Sequence, residues 1–114
     1  MKRSDLVIVD FRSLNPAAGV RPAVVIQNDR DNARTSNTIV VQVTTNVRRR
    51  QQETQLLIDE KHPDWILSGL RHPSVVNCLN IYTIRKSHIA KVIGTLSPET
   101  MTAVTQCLRN AIGA

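Results

Sequence analysis

The fold is decided by one segment of the chain, residues 19–32, which reads GVRPAVVIQNDRDN. A Gly-x-Arg-Pro turn leads directly into an apolar run at residues 23–26. Proline is tolerated at the first residue of a strand, where no ladder donor is needed. The run then stops at a polar cluster that contains Asn28 and Asp29. The segment therefore predicts a buried strand over residues 22–27, with Arg21 held at its entrance.

A second run, residues 38–45, is the natural partner of this strand. Almost all of its residues are β-branched, which is typical of strands. If Gln27 lies opposite Thr38 in an antiparallel hairpin, then Arg21 lies opposite Thr44. Directly opposed side chains share a face, with Cβ atoms about 4.5–5.5 Å apart. This register therefore predicts a guanidinium and a hydroxyl together at one end of the sheet.

The same register separates apolar from polar side chains, and a slip of one residue would destroy that separation. One face of the hairpin is apolar and is expected to be the core; it carries Pro22, Val24, Ile26, Ile39, Val41 and Val43. The other face is predicted to be the wetter one; it carries Arg21, Gln27, Thr38, Gln42 and Thr44.

Short strand-like runs continue through the first three quarters of the chain. We predict further strands over residues 6–11, 54–59, 74–78, 81–84 and 90–96. Residues 28–37 are expected to form a polar loop or a short helical turn, and residues 61–73 an excursion from the sheet. Short strands at this spacing predict a small barrel or a strongly bent sheet.

The chain ends in a predicted helix. Ser97 is a natural N-cap, Pro98 suits the first helical position and Gly113 provides a stop signal. Apolar residues recur at intervals of three and four along it, at Met101, Val104, Leu108 and Ile112. We expect this stripe to dock on the sheet, which gives a mainly β fold with a C-terminal helix.

Length and charge limit the class of protein. A chain of 114 residues predicts a single domain over residues 1–114. A formal net charge of +6 favours a polyanionic partner, either nucleic acid or an acidic protein segment. Only three residues are aromatic, which argues against an extended base-stacking platform. No apolar run is long enough to span a membrane and no signal peptide is evident, so we expect a cytoplasmic protein.

Cysteine and histidine positions show no spacing typical of metal ligands. Cys78 and Cys107 are far apart in sequence, and the three histidines are scattered among predicted loops. We therefore expect no metal, no cofactor and two reduced thiols. Cys78 has no sequence partner that would make it a nucleophile.

The Arg21–Thr44 pair suits phosphodiester chemistry. A guanidinium binds phosphate oxygens in a bidentate way and stabilises a pentavalent transition state, and a threonine hydroxyl donates to the same phosphoryl group. No general base is evident, because arginine stays protonated. RNA that is cut through its own 2′-hydroxyl brings its nucleophile with it. From the residues alone two plainer interpretations stay open: a solvated arginine at a strand end, and a threonine present for its β propensity.

With these residues the chain resembles the MazF/PemK family of toxin ribonucleases from bacterial toxin–antitoxin systems. The Arg-Pro-strand-Asn-Asp string of residues 19–29 carries the resemblance, which extends over nearly the whole chain through residues 5–7, 39–44, 74–76 and 83–84 and the C-terminal helix. It implies an SH3-like β-barrel with a C-terminal helix and a homodimer. It also implies a cognate antitoxin whose acidic C-terminal segment enters the basic groove.

The activity implied by the resemblance is metal-independent, sequence-selective cleavage of single-stranded RNA. The family's catalytic arginine and threonine match Arg21, which would bind phosphate and assist proton transfer, and Thr44, which would stabilise the phosphoryl charge. Attack by the 2′-hydroxyl would leave a 2′,3′-cyclic phosphate and a 5′-hydroxyl. We predict RNA contacts from Arg12, Gln27, Thr45, Arg48, Arg49 and Asn80.

Two segments depart from the family pattern. The loop over residues 13–18 is shorter than usual and has no acid, and Asn80-Ile81-Tyr82-Thr83 stands where the family has Gln-Ile-Arg-Thr. Two other functions stay open: a non-enzymatic gyrase inhibitor like the CcdB poisons, and a barrel of the same fold that binds RNA or protein without cutting. The C-terminal residues 111–114 carry no aromatic side chain, which argues against the gyrase inhibitor.

Overall fold

The computed structural model describes all 114 residues, which form six strands and three α-helices. The strands are β1 (Asp5–Asp10), β2 (Val20–Val25), β3 (Asn37–Thr44), β4 (Gln55–Ile58), β5 (Ser74–Arg85) and β6 (Ile89–Thr95). The helices are α1 (Asp29–Arg34), α2 (Trp65–Ser68) and α3 (Pro98–Ile112), and a 3-10 turn at Lys86–His88 joins β5 to β6. No helix is long and apolar enough to cross a membrane.

All six strands belong to one antiparallel sheet. Their order is β4-β5-β3-β2-β1-β6, which leaves β4 and β6 at the two edges with no ladder between them. The prediction of a mainly β fold that ends in a helix is confirmed. The sheet itself is open.

The predicted register of the β2–β3 hairpin is confirmed where the two strands pair. Ala23 lies opposite Gln42, Val24 opposite Val41 and Val25 opposite Val40. The alternation of apolar residues was enough to find this register, because a shift by one residue would have turned every side chain to the wrong face.

The prediction of one dry and one wet face for this hairpin was wrong. Val24 and Val41 lie in a core cluster that also contains residues of α3, as predicted. The opposite face is covered as well, by a second cluster that includes Phe11, Val25 and Val40. Phe11 packs there against Tyr82, with ring centroids 4.9 Å apart, and so the sheet has a core on both sides.

Thr38, which was expected on the wet face, is completely buried. Its hydroxyl donates to Asn32 Oδ1 at 2.7 Å, and that bond compensates for the loss of water. Burial ends toward the other end of the hairpin, where Gln42 and Thr44 are half-buried and Arg21 is exposed.

β5 is one long strand with a bulge, where two short strands had been predicted. Its pairing with β3 shifts between Val41, which lies opposite Ile81, and Gln42, which lies opposite Asn77. Residues 78–80 are therefore left without partners on β3. Such bulges bend a strand and redirect its side chains, often beside functional sites.

Both predicted helical segments form. Asn28 caps α1, since its Oδ1 accepts from the Asp31 N–H at 2.9 Å. Ser97 caps α3 in the same way through Thr100, and Gly113 ends it with a φ of 74°. The glycine is required there because that left-handed conformation is unfavourable for other residues.

The apolar stripe of α3 is confirmed except at its last position. Met101 and Val104 are buried and Leu108 packs against the core, but Ile112 is 68% exposed. Ala111 contacts the core in the last turn instead. The helical repeat of 3.6 residues explains this, because it brings position 111 onto the buried face before position 112.

Candidate functional site

The ends of β3, β4 and the β5 bulge surround a cavity without a single hydrophobic side chain. Its volume is about 210 Å³, and it is lined by Gln42, Thr44, Asn46, Arg48, Arg49, Gln55, Asn77 and Asn80. We call it the amide cavity. It contains two arginines and no carboxylate, so its charge favours an anionic ligand.

Three carboxamides of this cavity form a row across neighbouring strands. Asn77 on β5 lies opposite Gln42 on β3 and opposite Gln55 on β4. Directly opposed residues share a face of the sheet. Ala23 continues the row on β2, so the row lies on the same face as the second core cluster, where that cluster gives way to polar side chains.

Thr44 is the last residue of β3, and its hydroxyl proton is free. Its Oγ1 accepts from the Asn46 N–H at 3.1 Å, which leaves the O–H able to donate into the cavity. Asn46 Oδ1 accepts in turn from the Arg48 N–H at 3.2 Å. These two hydrogen bonds, each between residues two apart in sequence, shape the loop that brings Arg48 and Arg49 to the cavity.

Neither of these arginines is neutralised by an acid. The structure contains one salt bridge, between Arg12 and Asp10, so the guanidinium groups of Arg48 and Arg49 are exposed and unpaired. Positive groups in this state bind phosphates without first having to break an ion pair.

Arg21 does not line the amide cavity. Its Nε donates to the Ala18 carbonyl at 2.9 Å, and its two terminal nitrogens have no protein partner. The ladder between β2 and β3 ends at the Ala23–Gln42 pair, so the predicted Arg21–Thr44 pair is not part of it. Arg21 lies opposite Val9 of β1, a residue of the second core cluster, and so it is on the same face of the sheet as the row of carboxamides. The hydrogen bond to Ala18 orients the guanidinium of Arg21, and its two terminal nitrogens stay free to donate two parallel hydrogen bonds.

Asn80 is held at the cavity by a partner on β3. Its Nδ2 donates to Gln42 Oε1 at 2.9 Å. Of the predicted site residues, the structure therefore groups four around the amide cavity: Thr44, Arg48, Arg49 and Asn80.

The other predicted RNA contacts lie outside the amide cavity. Gln27 is at the far end of the hairpin, where its Nε2 donates to Asn32 Oδ1 at 3.0 Å and to the Asn37 carbonyl at 3.1 Å. Both amide hydrogens are thus used within the protein. Thr45 lines a different cavity, of about 540 Å³, together with Lys91 and other residues.

Arg12 is paired with Asp10 through two hydrogen bonds. Nε donates to Oδ1 at 2.9 Å and Nη2 to Oδ2 at 2.7 Å. These bonds hold the pKa of the Asp10 carboxyl well below its usual range and raise the pKa of Arg12. An anion that approaches Arg12 therefore competes with a carboxylate that is already in place.

The two thiols are excluded from nucleophilic chemistry by their surroundings. Burial and the nearby Cys107 raise the pKa of the Cys78 thiol to about 12, and burial also raises the pKa of Cys107. A thiolate is the reactive form of cysteine, so neither residue is a nucleophile near neutral pH.

Gln55, Asn77 and Asn46 are the cavity residues that the sequence did not reveal. Gln55 begins β4 and pairs with Asn77 of β5, 22 residues further along the chain. Gln42 was placed on the correct face by strand alternation. The alternation of polar residues could have singled it out as a site residue.

The chain is similar in sequence and in fold to known proteins. A family model described as "PemK-like, MazF-like toxin of type II toxin-antitoxin system" matches residues 2–112. The chain is 31% identical over 111 residues to "Endoribonuclease EndoA" of Bacillus subtilis (strain 168), covering 96% of this chain and 91% of that protein.

Solved structures share the fold over nearly the full length. The "Mycobacterium tuberculosis toxin MazF-mt6" superposes with a TM-score of 0.78 at 25% identity, covering 96% of both chains. An "Endoribonuclease in complex with its cognate antitoxin from Mycobacterial species" superposes with a TM-score of 0.77 at 24% identity, covering 99% of this chain and 95% of that one.

Proposed function

The chain belongs to the family of PemK-like, MazF-like toxins of type II toxin–antitoxin systems, and we propose that it is an endoribonuclease toxin that cuts single-stranded RNA without a metal ion. The observation that carries the proposal is the amide cavity, where Thr44 and two unpaired arginines meet with no acid among them. EndoA, a relative covered almost completely by the match, is named as an endoribonuclease.

In the proposed reaction the 2′-oxygen of the RNA attacks the adjacent phosphorus. The bond from phosphorus to the 5′-oxygen of the next nucleotide breaks, which leaves a 2′,3′-cyclic phosphate and a 5′-hydroxyl. The 2′-oxygen loses its proton in the attack and the leaving 5′-oxygen gains one. The terminal nitrogens of Arg21 bind the phosphate and assist this proton transfer. The Thr44 hydroxyl donates to a phosphoryl oxygen as negative charge develops there.

Further RNA contacts follow from the cavity lining. Arg48 and Arg49 bind backbone phosphates, and Asn80 faces a base. Arg12 and Thr45 do not line the amide cavity, and we propose that they contact RNA nucleotides away from the scissile phosphate. Gln27 is not proposed as an RNA contact, because both of its amide hydrogens are donated within the protein.

The partners and finer architecture are proposed by analogy with the family. We take the open sheet to be a variant of the SH3-like barrel, formed by residues 1–114 as one domain that acts in the cytoplasm. Exposed apolar side chains such as Ile66 and Ile112 provide surface for a homodimer. A net charge of +6 favours an antitoxin with an acidic C-terminal segment, and one similar structure is titled as a complex with its cognate antitoxin.

The two rival functions are less well supported. A gyrase inhibitor would not need a cavity lined by arginines and amides, and the family match names a different class of toxin. A barrel that binds RNA without cutting would have the same surface, so only an activity measurement separates it from the enzyme.

The test is incubation of the purified protein with a mixed-sequence single-stranded RNA in excess chelator. We expect cleavage by the wild type, loss of cleavage in Arg21→Ala, and full activity in the control Arg34→Ala, which removes an exposed arginine of α1. An inactive wild type that still binds RNA would support the non-cutting barrel. Undiminished cleavage by Arg21→Ala would overturn the assignment of that residue.

A further inference from the structure

The orientation of the Asn77 carboxamide is set by the backbone. The Leu79 N–H donates to it at 3.1 Å, so the atom that accepts must be the oxygen, Oδ1. Gln55 Nε2 donates to the same oxygen at 2.8 Å. Because an oxygen cannot donate, the Gln55 amide cannot be turned around either. One backbone N–H therefore orients two side chains.

This arrangement leaves one acceptor and one donor free. Gln55 Nε2 also donates to Thr54 Oγ1 at 3.1 Å, so both of its hydrogens are used. Its Oε1 accepts no bond from the protein, although the residue is only 6% exposed. No side-chain polar atom is both buried and unpartnered, so this oxygen reaches the solvent of the amide cavity. Asn77 Nδ2 is the corresponding free donor.

The second amide pair in the cavity has no such anchor. Asn80 Nδ2 and Gln42 Oε1 bond only to each other. If both amides turn by half a rotation, the bond is kept with donor and acceptor exchanged. The Gln42–Asn80 pair can therefore present its free donor and free acceptor to a ligand in either arrangement. The Gln55–Asn77 pair can present them in only one.

A fixed acceptor beside a fixed donor does not suit a phosphate. Phosphate oxygens only accept hydrogen bonds, so they would be repelled by Gln55 Oε1. The edge of a nucleobase carries donors next to acceptors, and carboxamides recognise such edges by paired hydrogen bonds. The arginines at the same cavity suit the phosphates on either side.

We infer that the Gln55–Asn77 pair is a base-reading site that selects one nucleotide of the RNA strictly, while the Gln42–Asn80 pair tolerates more than one base. This inference rests on the proposed function, because it takes RNA as the ligand. It assigns a specificity role to two residues, Gln55 and Asn77, that take no part in the cleavage step.

The experiment uses a randomised single-stranded RNA pool in which fluorine replaces every 2′-hydroxyl, so that nothing can be cut. Bound RNA is recovered and sequenced. We expect the wild type to enrich one base at one position. Asn77→Asp keeps the oxygen that accepts from Leu79 and Gln55 but removes the free donor, so the enrichment at that position should fall by about tenfold.

Gln55→Met provides a second, uncharged variant with the same expected loss. Gln51→Met is the matched control, since that glutamine is exposed and does not line the amide cavity. Unchanged enrichment in both Asn77→Asp and Gln55→Met, or a wild type with no preferred base, would overturn the inference. Circular dichroism confirms that each variant is folded.

The outcome is separable from that of the proposed function. If the wild type cuts no ordinary RNA but both variants lose the enrichment in the uncuttable pool, base reading holds and the ribonuclease assignment fails. If the wild type cuts RNA and the variants keep the enrichment, the ribonuclease assignment holds and base reading by this pair is wrong.

Discussion

Asn80 donates to Gln42 at 2.9 Å, although 38 residues separate the two in sequence. The bulge in β5 makes this contact, because it leaves residues 78–80 without partners on β3. The contact closes the amide cavity next to the end of β3, where Thr44 lies. The geometry of the proposed site therefore depends on an irregularity of the sheet.

Thr44→Val should lower the cleavage rate while the sheet stays folded, although it also removes the bond from the Asn46 N–H. The substitution removes the only hydroxyl that lines the amide cavity, and loss of one such donor to a developing oxyanion costs about a hundredfold to a thousandfold in rate. Single-turnover cleavage of a labelled RNA measures it. Thr44→Ser should keep most of the activity, and Thr83→Val, at an exposed threonine of β5, serves as the control. Equal rates for Thr44→Val and the wild type would exclude the hydroxyl from the reaction.

Arg48→Ala and Arg49→Ala should each weaken RNA binding in a salt-dependent way. Each arginine is expected to displace one counterion from a phosphate, so each substitution should reduce the slope of log affinity against log salt by about 0.7. Fluorescence anisotropy with uncuttable RNA at several salt concentrations measures the slope. The Arg34→Ala protein provides the comparison, and a slope unchanged in both variants would show that these arginines do not touch phosphate.

The Asp10–Arg12 pair should make stability depend on acid pH. Because the pKa of Asp10 is lowered in the folded state, its contribution is fully present above the unfolded-state value of about 3.9. It is lost as the pH falls through the folded-state pKa. Arg12→Ala should therefore raise the pKa of Asp10, which carboxyl NMR titration detects directly. A titration curve that does not move in the variant would contradict the role of the pair.

Phe11→Ala should test the second core. The side chain is completely buried among the residues of that cluster, and truncation of a buried phenylalanine typically lowers the free energy of unfolding by about 3–5 kcal/mol. Leu14→Ala, at a residue 52% exposed, should change it by less than about 0.5 kcal/mol. Urea denaturation measures the free energy of unfolding of both variants. A similar small decrease in the two would mean that the second cluster contributes little to stability.

Local pattern explains which features could be predicted. The hairpin register followed from alternation in residues 22–27 and 38–45, and the cap of α3 followed from a single residue, Ser97. The second core could not be predicted in this way. Alternation shows that two faces differ, but Phe11 reaches the second face from just after β1 and Tyr82 reaches it from β5.

Local pattern likewise predicts some residues of the candidate site and misses others. The positions of Thr44 and Arg48 could be read from the end of a strand and the basic run that follows it. Asn77 and Gln55 meet only because β4 pairs with β5 across 22 residues. Long-range pairing of this kind leaves no periodic signal in the sequence.

The central claim is that the RNA supplies its own nucleophile, so that the protein needs no general base and no metal. It is tested by an RNA in which the single nucleotide on the 5′ side of an established cleavage position carries 2′-hydrogen in place of the hydroxyl, incubated with the wild-type protein in chelator. We expect no cleavage at that position and normal cleavage at an unmodified site in the same molecule. Equal cleavage at the two positions would contradict the mechanism.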